Sequence, residues 1–223
     1  MIISTPSYLF PGTYLENIRY IHTIPDIASV ELLFFIFDEE TKLLYERERR
    51  DIEVFFPELQ FTVHMPDELL PEHETLIEMT APLTTHYILH PPADDEDRFL
   101  RLVTAWRKTY GELFLLENLI ERDFEGILDK LGPMGVCCDT GHLLIRGHSP
   151  VRFCKTYGER VKEIHLHGVE DGWDHKPFAE DQLWFRELVP FLKSFSGVVN
   201  LELFAVDDVD KLLKALKAVG IIR

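Results

Sequence analysis

Six short apolar segments of this chain run out into a histidine or an acid. They are FTVHMP with His64, YILHPP with His90, LLENL with Glu117, CCDTGH with Asp139 and His142, IHLHG with His165 and His167, and LELF with Glu202. A carboxylate seldom sits at the end of a core strand unless something pairs with it. One histidine or one acid in such a place is ordinary. Six successive segments are not, because carboxylates brought to one place repel each other and are costly to desolvate. Divalent cations remove that cost. Mixed imidazole and carboxylate donors suit zinc, manganese, iron or cobalt better than magnesium or calcium. The expectation is a divalent transition metal, zinc or manganese first, at one to three ions per chain, with Asp139 and His142 on one side of the cluster.

The elements that would position these residues recur as a unit. A short apolar run ends in polar or special residues, and ten to twenty residues of helical periodicity follow. Eight runs stand out: MIISTPS, SVELLFFIF, QFTVHMP, THYILHPP, ELFLLENL, MGVCCDTG, EIHLHGV and VVNLELF. The helical stretches between them, such as DRFLRLVTAWRKTYG and DFEGILDKLG, begin after aspartate and stop at glycine. Eight strand–helix units over 223 residues predict a single-domain (β/α)8 TIM barrel spanning 1–223. An open doubly wound sheet would show a glycine-rich phosphate loop after an early strand, and none is visible. In a barrel the strand C-termini share one rim, where active sites sit. Alternation along a strand puts His165 and His167 on one face and pairs Glu117 with Leu115 and Glu202 with Asn200, so the inner layers below the rim are expected to be apolar.

Charge and cysteine usage bound the partners. The formal net charge of −16 is repulsive to a phosphate backbone, and RERRD at 47–51 is the one dense basic cluster, on a predicted helix. Nucleic acid is therefore disfavoured and a small-molecule substrate favoured. Cys137, Cys138 and Cys154 form an odd set, and two neighbours in one strand face opposite ways, so the pattern is that of a reducing, cytoplasmic compartment. No run of eighteen apolar residues is present, so no membrane partner is expected, and MIISTPSYLF reads as a first strand.

The segments FTVHMP, ILHPP, LLENL, CCDTGH, IHLHG, DHKPF and LELF, in this order, resemble the xylose-isomerase-like barrel superfamily, and its endonuclease IV branch above all. The resemblance runs from the third strand to the eighth. It implies that His64 and His90 bind one metal and that Glu117 bridges two. Asp139, His142, His165 and Glu202 are implied as further ligands. Two departures matter. Members with three metals carry Asp-x-His after strand seven, where this chain has Asp174 directly beside His175, so a third site is in question and His175 is the better candidate. His167 stands where the family often has a neutral polar residue, and is expected to support a ligand or touch substrate.

Three enzyme readings follow. The first is a metal-dependent hydrolase of a small-molecule phosphodiester, with Glu117, Glu202 and His167 as catalytic candidates. The compact acidic chain also resembles a branch that remodels cobamides, which implies the nucleotide loop of a vitamin B12-type corrinoid as substrate. Aromatic residues including Tyr8, Phe10, Phe34, Phe35, Phe37 and Trp173 could wall such a flat ligand. The second is a sugar isomerase or epimerase with one ion held by Glu117, Asp139, His165 and Glu202, in which two glutamates move a proton beside a carbonyl. The third, incision of DNA at abasic sites, suits the short, acidic chain least. His64 and His90 favour hydrolysis, because a second ion needs them. A metal-binding module without activity is the remaining option, and an open rim argues against it.

Overall fold

A computed structural model describes residues 1–222. In chain order its strands are β1 (Ile2–Pro6), β2 (Ser29–Leu33), β3 (Gln60–His64), β4 (Thr84–Leu89), β5 (Phe114–Glu117), β6 (Gly135–Asp139), β7 (Val161–His165), β8 (Gly168–Glu170), β9 (Trp173–Lys176) and β10 (Val198–Asn200). Eight of them are parallel and close into a barrel in the order β1-β10-β7-β6-β5-β4-β3-β2, which rules out the open sheet. β8 and β9 form a separate antiparallel hairpin. The parallel register carries the C-terminal ends of β3, β4, β5, β6, β7 and β10 to one rim.

The helices form where the sequence marks them. They are α1 (Tyr14–Ile21), α2 (Glu39–Phe55), α3 (Glu74–Thr80), α4 (Glu96–Tyr110), α5 (Phe124–Leu131), α6 (Thr140–Ile145), α7 (Pro150–Tyr157), α8 (Leu183–Ser194) and α9 (Val206–Ala218). Thr13 and Glu16 cap α1 reciprocally, and the Asp38, Asp95 and Asp123 carboxylates accept from the first-turn amides of α2, α4 and α5. α4 stops at Gly111, whose φ of 85° lies in the left-handed region that glycine enters without strain. No described helix is long and apolar enough to cross a membrane. The RERRD cluster lies on α2, mostly exposed, while Glu48 within it turns inward and accepts from the Leu15 amide at 2.9 Å.

Alternation along the strands separates two environments. Outward residues such as Val30, Val63, Tyr87, Leu116, Cys138 and Ile164 join the large apolar core under the helices. The inward layer departs from the expected apolar filling. Among the described residues, only Ile88, Leu115 and Cys137 cluster there as an apolar group. The rest of the interior is crossed by polar contacts between strands that are not neighbours: Thr62 on β3 donates to Glu163 on β7 at 3.2 Å, and Asn200 on β10 donates to Glu31 on β2. Glu31 and Glu163 are wholly buried. Cys137 faces this interior and Cys138 the helices, as alternation requires, and the three cysteines are free. Burial pushes the Cys137 thiol well up, which leaves it a filler rather than a nucleophile.

Candidate metal centre

The strand ends bring the singled-out residues together. His64 and Glu117 are the last residues of β3 and β5, Asp139 of β6 and His165 of β7, while His90 lies one residue past β4 and Glu202 two past β10. Glu117 is the hub. Its Oε2 lies 3.5 Å from His64 Nε2, 3.6 Å from His90 Nε2 and 3.4 Å from His165 Nδ1, and its Oε1 lies 3.6 Å from His142 Nδ1. His165 Nδ1 also lies 3.1 Å from Glu202 Oε2. Glu117 Oε2, Glu202 Oε2 and His165 Nδ1 are buried, yet none has a hydrogen-bond partner. Ligands about 2.0–2.2 Å from a tetrahedral cation stand about 3.3–3.6 Å from each other. The observed separations therefore match donors around a shared ion better than a hydrogen-bonded network. Glu117 is common to three ligand groups: one with His64 and His90, one with Asp139, His165 and Glu202, and one with Cys137 and His165.

Several rings are aimed by a bond on the side away from the cluster. His64 Nδ1 pairs with the Met65 carbonyl at 2.9 Å and His90 Nδ1 with Asp67 Oδ1 at 2.9 Å, so in each the Nε2 lone pair faces Glu117. His142 Nδ1 pairs with the Asn118 carbonyl at 3.0 Å, which turns its Nε2 toward Asp174 Oδ2 at 3.5 Å. Asn118 also bonds both backbone groups of Asp139, tying the ends of β5 and β6 together.

The turn that raised Asp139 and His142 as candidates has a local logic. Asp139 Oδ1 caps α6 by accepting from the His142 amide at 2.6 Å, and Oδ2 accepts from His167 Nε2 at 2.9 Å. Thr140 Oγ1 accepts from the His167 amide at 3.0 Å. Gly141 leaves room for the His167 ring, since a Cβ there would lie 2.1 Å from Cε1. The His175 amide donates to His167 Nδ1 at 2.9 Å, which puts the ring proton on Nε2, toward Asp139. His167 thus orients Asp139. Its ring stacks on His175, with centroids 4.4 Å apart.

Asp174 and His175, adjacent in β9, both reach the site. His175 has a φ of 51°, in the left-handed region, and this turn lets neighbours converge. His175 Nε2 lies 3.6 Å from Glu202 Oε2, and Asp174 Oδ1 lies 3.0 Å from His175 Nδ1. His167, His175 and Glu202 form a further compact group, while His142 meets Asp174 as a pair.

Six imidazoles crowd against Glu117, Asp139, Asp174 and Glu202. Burial alone would lower the pKa of His90, but Glu117 and Asp67 raise it to about 10. Burial likewise opposes the cation at His167, and Asp139 and Glu202 raise it to about 10. Glu117 and Glu202, which burial would push up, are held well below the usual carboxylate range, chiefly by His165. The His175 amide opposes the shift at His167, because a ring that accepts at Nδ1 carries only its Nε2 proton.

Sequence reasoning missed two buried acids beneath the rim. Glu31 Oε1 lies 3.3 Å from His165 Nε2, and Glu163 shares that pocket. Burial and then the Glu31 charge push Glu163 up to about 8. Their signal was a charged residue at an inward position of VELLF and VKEIH. A second omission is the groove beside the centre. Ser7, Tyr8, Tyr14, Leu33, Phe35, Ile36 and Phe204 line a mostly apolar opening of about 530 Å³. Phe35 meets His64 edge-on at 4.6 Å, and Phe204 lies 5.0 Å from His175. Of the aromatic candidates, Tyr8 and Phe35 line this groove, Phe34 is buried in the core, and Trp173 is exposed on the hairpin.

No family model and no curated protein matches the chain. Solved structures do. The AP endonuclease, family 2 from Brucella melitensis is 16% identical over 97% of this chain and 98% of its own, with a TM-score of 0.70. The probable 3-DHS dehydratase of petrobactin synthesis from Bacillus anthracis is 13% identical over 98% of each chain, at 0.69. The 3-keto-D-glucoside 4-epimerase from E. coli is 15% identical over 100% of each, at 0.64. This barrel shares its fold with these proteins. Identities this low establish the fold alone, and the chemistry must be argued from the side chains.

Proposed function

We propose that this chain is a divalent-metal-dependent hydrolase of a small-molecule phosphodiester. The observation that carries the reading is the position of Glu117, which belongs both to the group with His64 and His90 and to the group with Asp139, His165 and Glu202. The histidine pair would ligate a second ion, which a one-ion isomerase does not need. Cations held in these groups supply Lewis acidity at a phosphoryl oxygen and lower the pKa of water. The chain does the rest. Glu117 holds the two groups side by side, His90 and His64 are fixed from behind by Asp67 and the Met65 carbonyl, and His167 keeps Asp139 in place. The apolar groove next to His64 and His175 would take the non-phosphate part of the substrate. Its aromatic walls suit a planar part of that substrate; the nucleotide loop of a cobamide is a finer candidate that rests on the resemblance in sequence alone.

A second reading keeps one observation of its own. Glu117, Asp139, His165 and Glu202 form a complete four-ligand group without His64 or His90, as a sugar isomerase or epimerase would need, and three of the structures that share the fold are sugar or sugar phosphate isomerases or epimerases, which favours this reading over hydrolysis on likeness of fold. DNA incision is opposed by the net charge of −16. The deciding experiment is metal content per chain together with a panel of phosphodiesters, a cobamide among them, and of ketoses and aldoses. Two or more ions with phosphodiester turnover, and loss of that turnover in His64→Ala, support the proposal. One ion with ketose turnover that survives His64→Ala replaces it with the isomerase.

A further inference from the structure

We infer that Glu31 is a positioning residue for the metal centre: from inside the barrel it fixes His165 in the tautomer whose Nδ1 faces the ions. The inference rests on the metal reading above and assigns a role to a residue that touches neither an ion nor a substrate. His64, His90 and His142 each use Nδ1 for an orienting bond and present Nε2. His165 is reversed. Its Nδ1 lies 3.1 Å from Glu202 Oε2 and 3.4 Å from Glu117 Oε2, while its Nε2 points down into the barrel, 3.3 Å from Glu31 Oε1; those two buried atoms are close but not aligned as a hydrogen bond, and neither has any other partner. A neutral imidazole carries one proton, and the nitrogen that keeps it cannot ligate. A carboxylate at Nε2 holds the proton there and frees the Nδ1 lone pair, the arrangement that fixes ligand orientation and raises ligand basicity in carboxylate–histidine–metal triads.

The surroundings of Glu31 fit that role. It is fully buried, as is His165, so the pair cannot be replaced by water from outside. Its second oxygen accepts from Asn200 Nδ2, which holds the carboxylate against rotation. Among the described residues, Glu31, Glu163 and His165 also form a compact set of donors, so an interior cation is the competing assignment. That assignment requires His165 to ligate two ions at once, with both nitrogens stripped of protons, whereas the triad needs only the ordinary neutral ring.

The test uses the full chain loaded with zinc and two variants. Glu31→Gln keeps an oxygen that can accept from Nε2–H, and Glu31→Met fills similar volume without one. Nitrogen NMR of histidine-labelled wild type is expected to show His165 metal-bound at Nδ1 and protonated at Nε2. Glu31→Met is expected to bind the ion of the Asp139–His165–Glu202 group about 10–100-fold more weakly. The ion of the His64–His90 group stays within about threefold, and Glu31→Gln recovers most of the loss. Should Glu31→Met fail to fold, the wild-type tautomer and Glu31→Gln still decide. Ligation of His165 through Nε2, wild-type affinity in Glu31→Met, or an extra ion per chain that Glu31→Met removes would each overturn the inference while leaving the metal centre standing. Absence of zinc from every histidine of the wild type would overturn both, and is distinguished by unshifted resonances throughout.

Discussion

Gly141→Ala sets local propensity against packing at one atom. Gly141 lies in the first turn of α6, where alanine is favoured over glycine by about 1 kcal/mol. Its backbone is not in the left-handed region, so nothing in the main chain resists the change. The added Cβ would instead fall 2.1 Å from Cε1 and 2.3 Å from Nδ1 of His167, far inside contact distance. That ring is fully buried between Gly141 and His175. Moving it breaks the 2.9 Å bond to Asp139 Oδ2 and the 2.9 Å bond from the His175 amide. Overpacking costs about 1–3 kcal/mol, and a hydrogen bond to a charged group contributes about 1.5–3 kcal/mol. Less the gain in propensity, the net expectation is a loss of roughly 2–4 kcal/mol. For a chain of this length that is a fall in Tm on the order of 10 °C. Affinity for the ion at Asp139 should fall about tenfold or more, because an orienting partner is lost. Thermal melts with and without zinc, and a zinc titration, measure both. A variant more stable than wild type by about 1 kcal/mol, with unchanged ion affinity, would show that propensity alone governs the site and that His167 does not rest on Gly141.

Other expectations are direct. Glu117→Gln keeps the shape but removes the charge shared by four imidazoles at 3.4–3.6 Å, so ion content should fall in both groups and turnover should vanish while circular dichroism is unchanged. The metal-free chain should lose stability as pH rises. His90 binds its proton more tightly folded than unfolded, so its contribution is complete below about 6.5 and lost as pH passes through about 10. Glu163, raised to about 8, adds a slope of the same sign between its unfolded value and that pH. Zinc binding at neutral pH should accordingly release protons, seen as a buffer-dependent heat in calorimetry, and a buffer-independent heat would contradict the raised pKa of His90. Phe35→Ala, which opens the groove at the edge of His64, should raise KM about tenfold with kcat little changed and ion content intact.

The barrel was legible in the chain because its signals are local. Apolar runs with period two, aspartates before helices and glycines after them need no knowledge of the rest of the molecule, and they placed the strands and the main helices. Two features interrupt the simple alternation: α7, started by Ser149 and Pro150 directly after α6, and the β8–β9 hairpin, turned by Asp171 and Gly172 at φ 53° and 82°. The hairpin decided Asp174 and His175. Adjacent residues of a regular strand face opposite ways, and the left-handed backbone at His175 brings both to the centre.

What the sequence determined by itself was which residue types stand at the strand ends: His64, His90, Glu117, Asp139 and His165 follow from where apolar runs stop. Only the tertiary structure decided which atoms face one another. Glu31 and His165 are 134 positions apart, on strands with β1 and β10 between them, and nothing in either segment announces the other. Their contact exists because the sheet closes and its register lifts β2 and β7 to the same height. Closure is a property of all eight strands at once, so no local pattern can encode the pairs it makes across the interior.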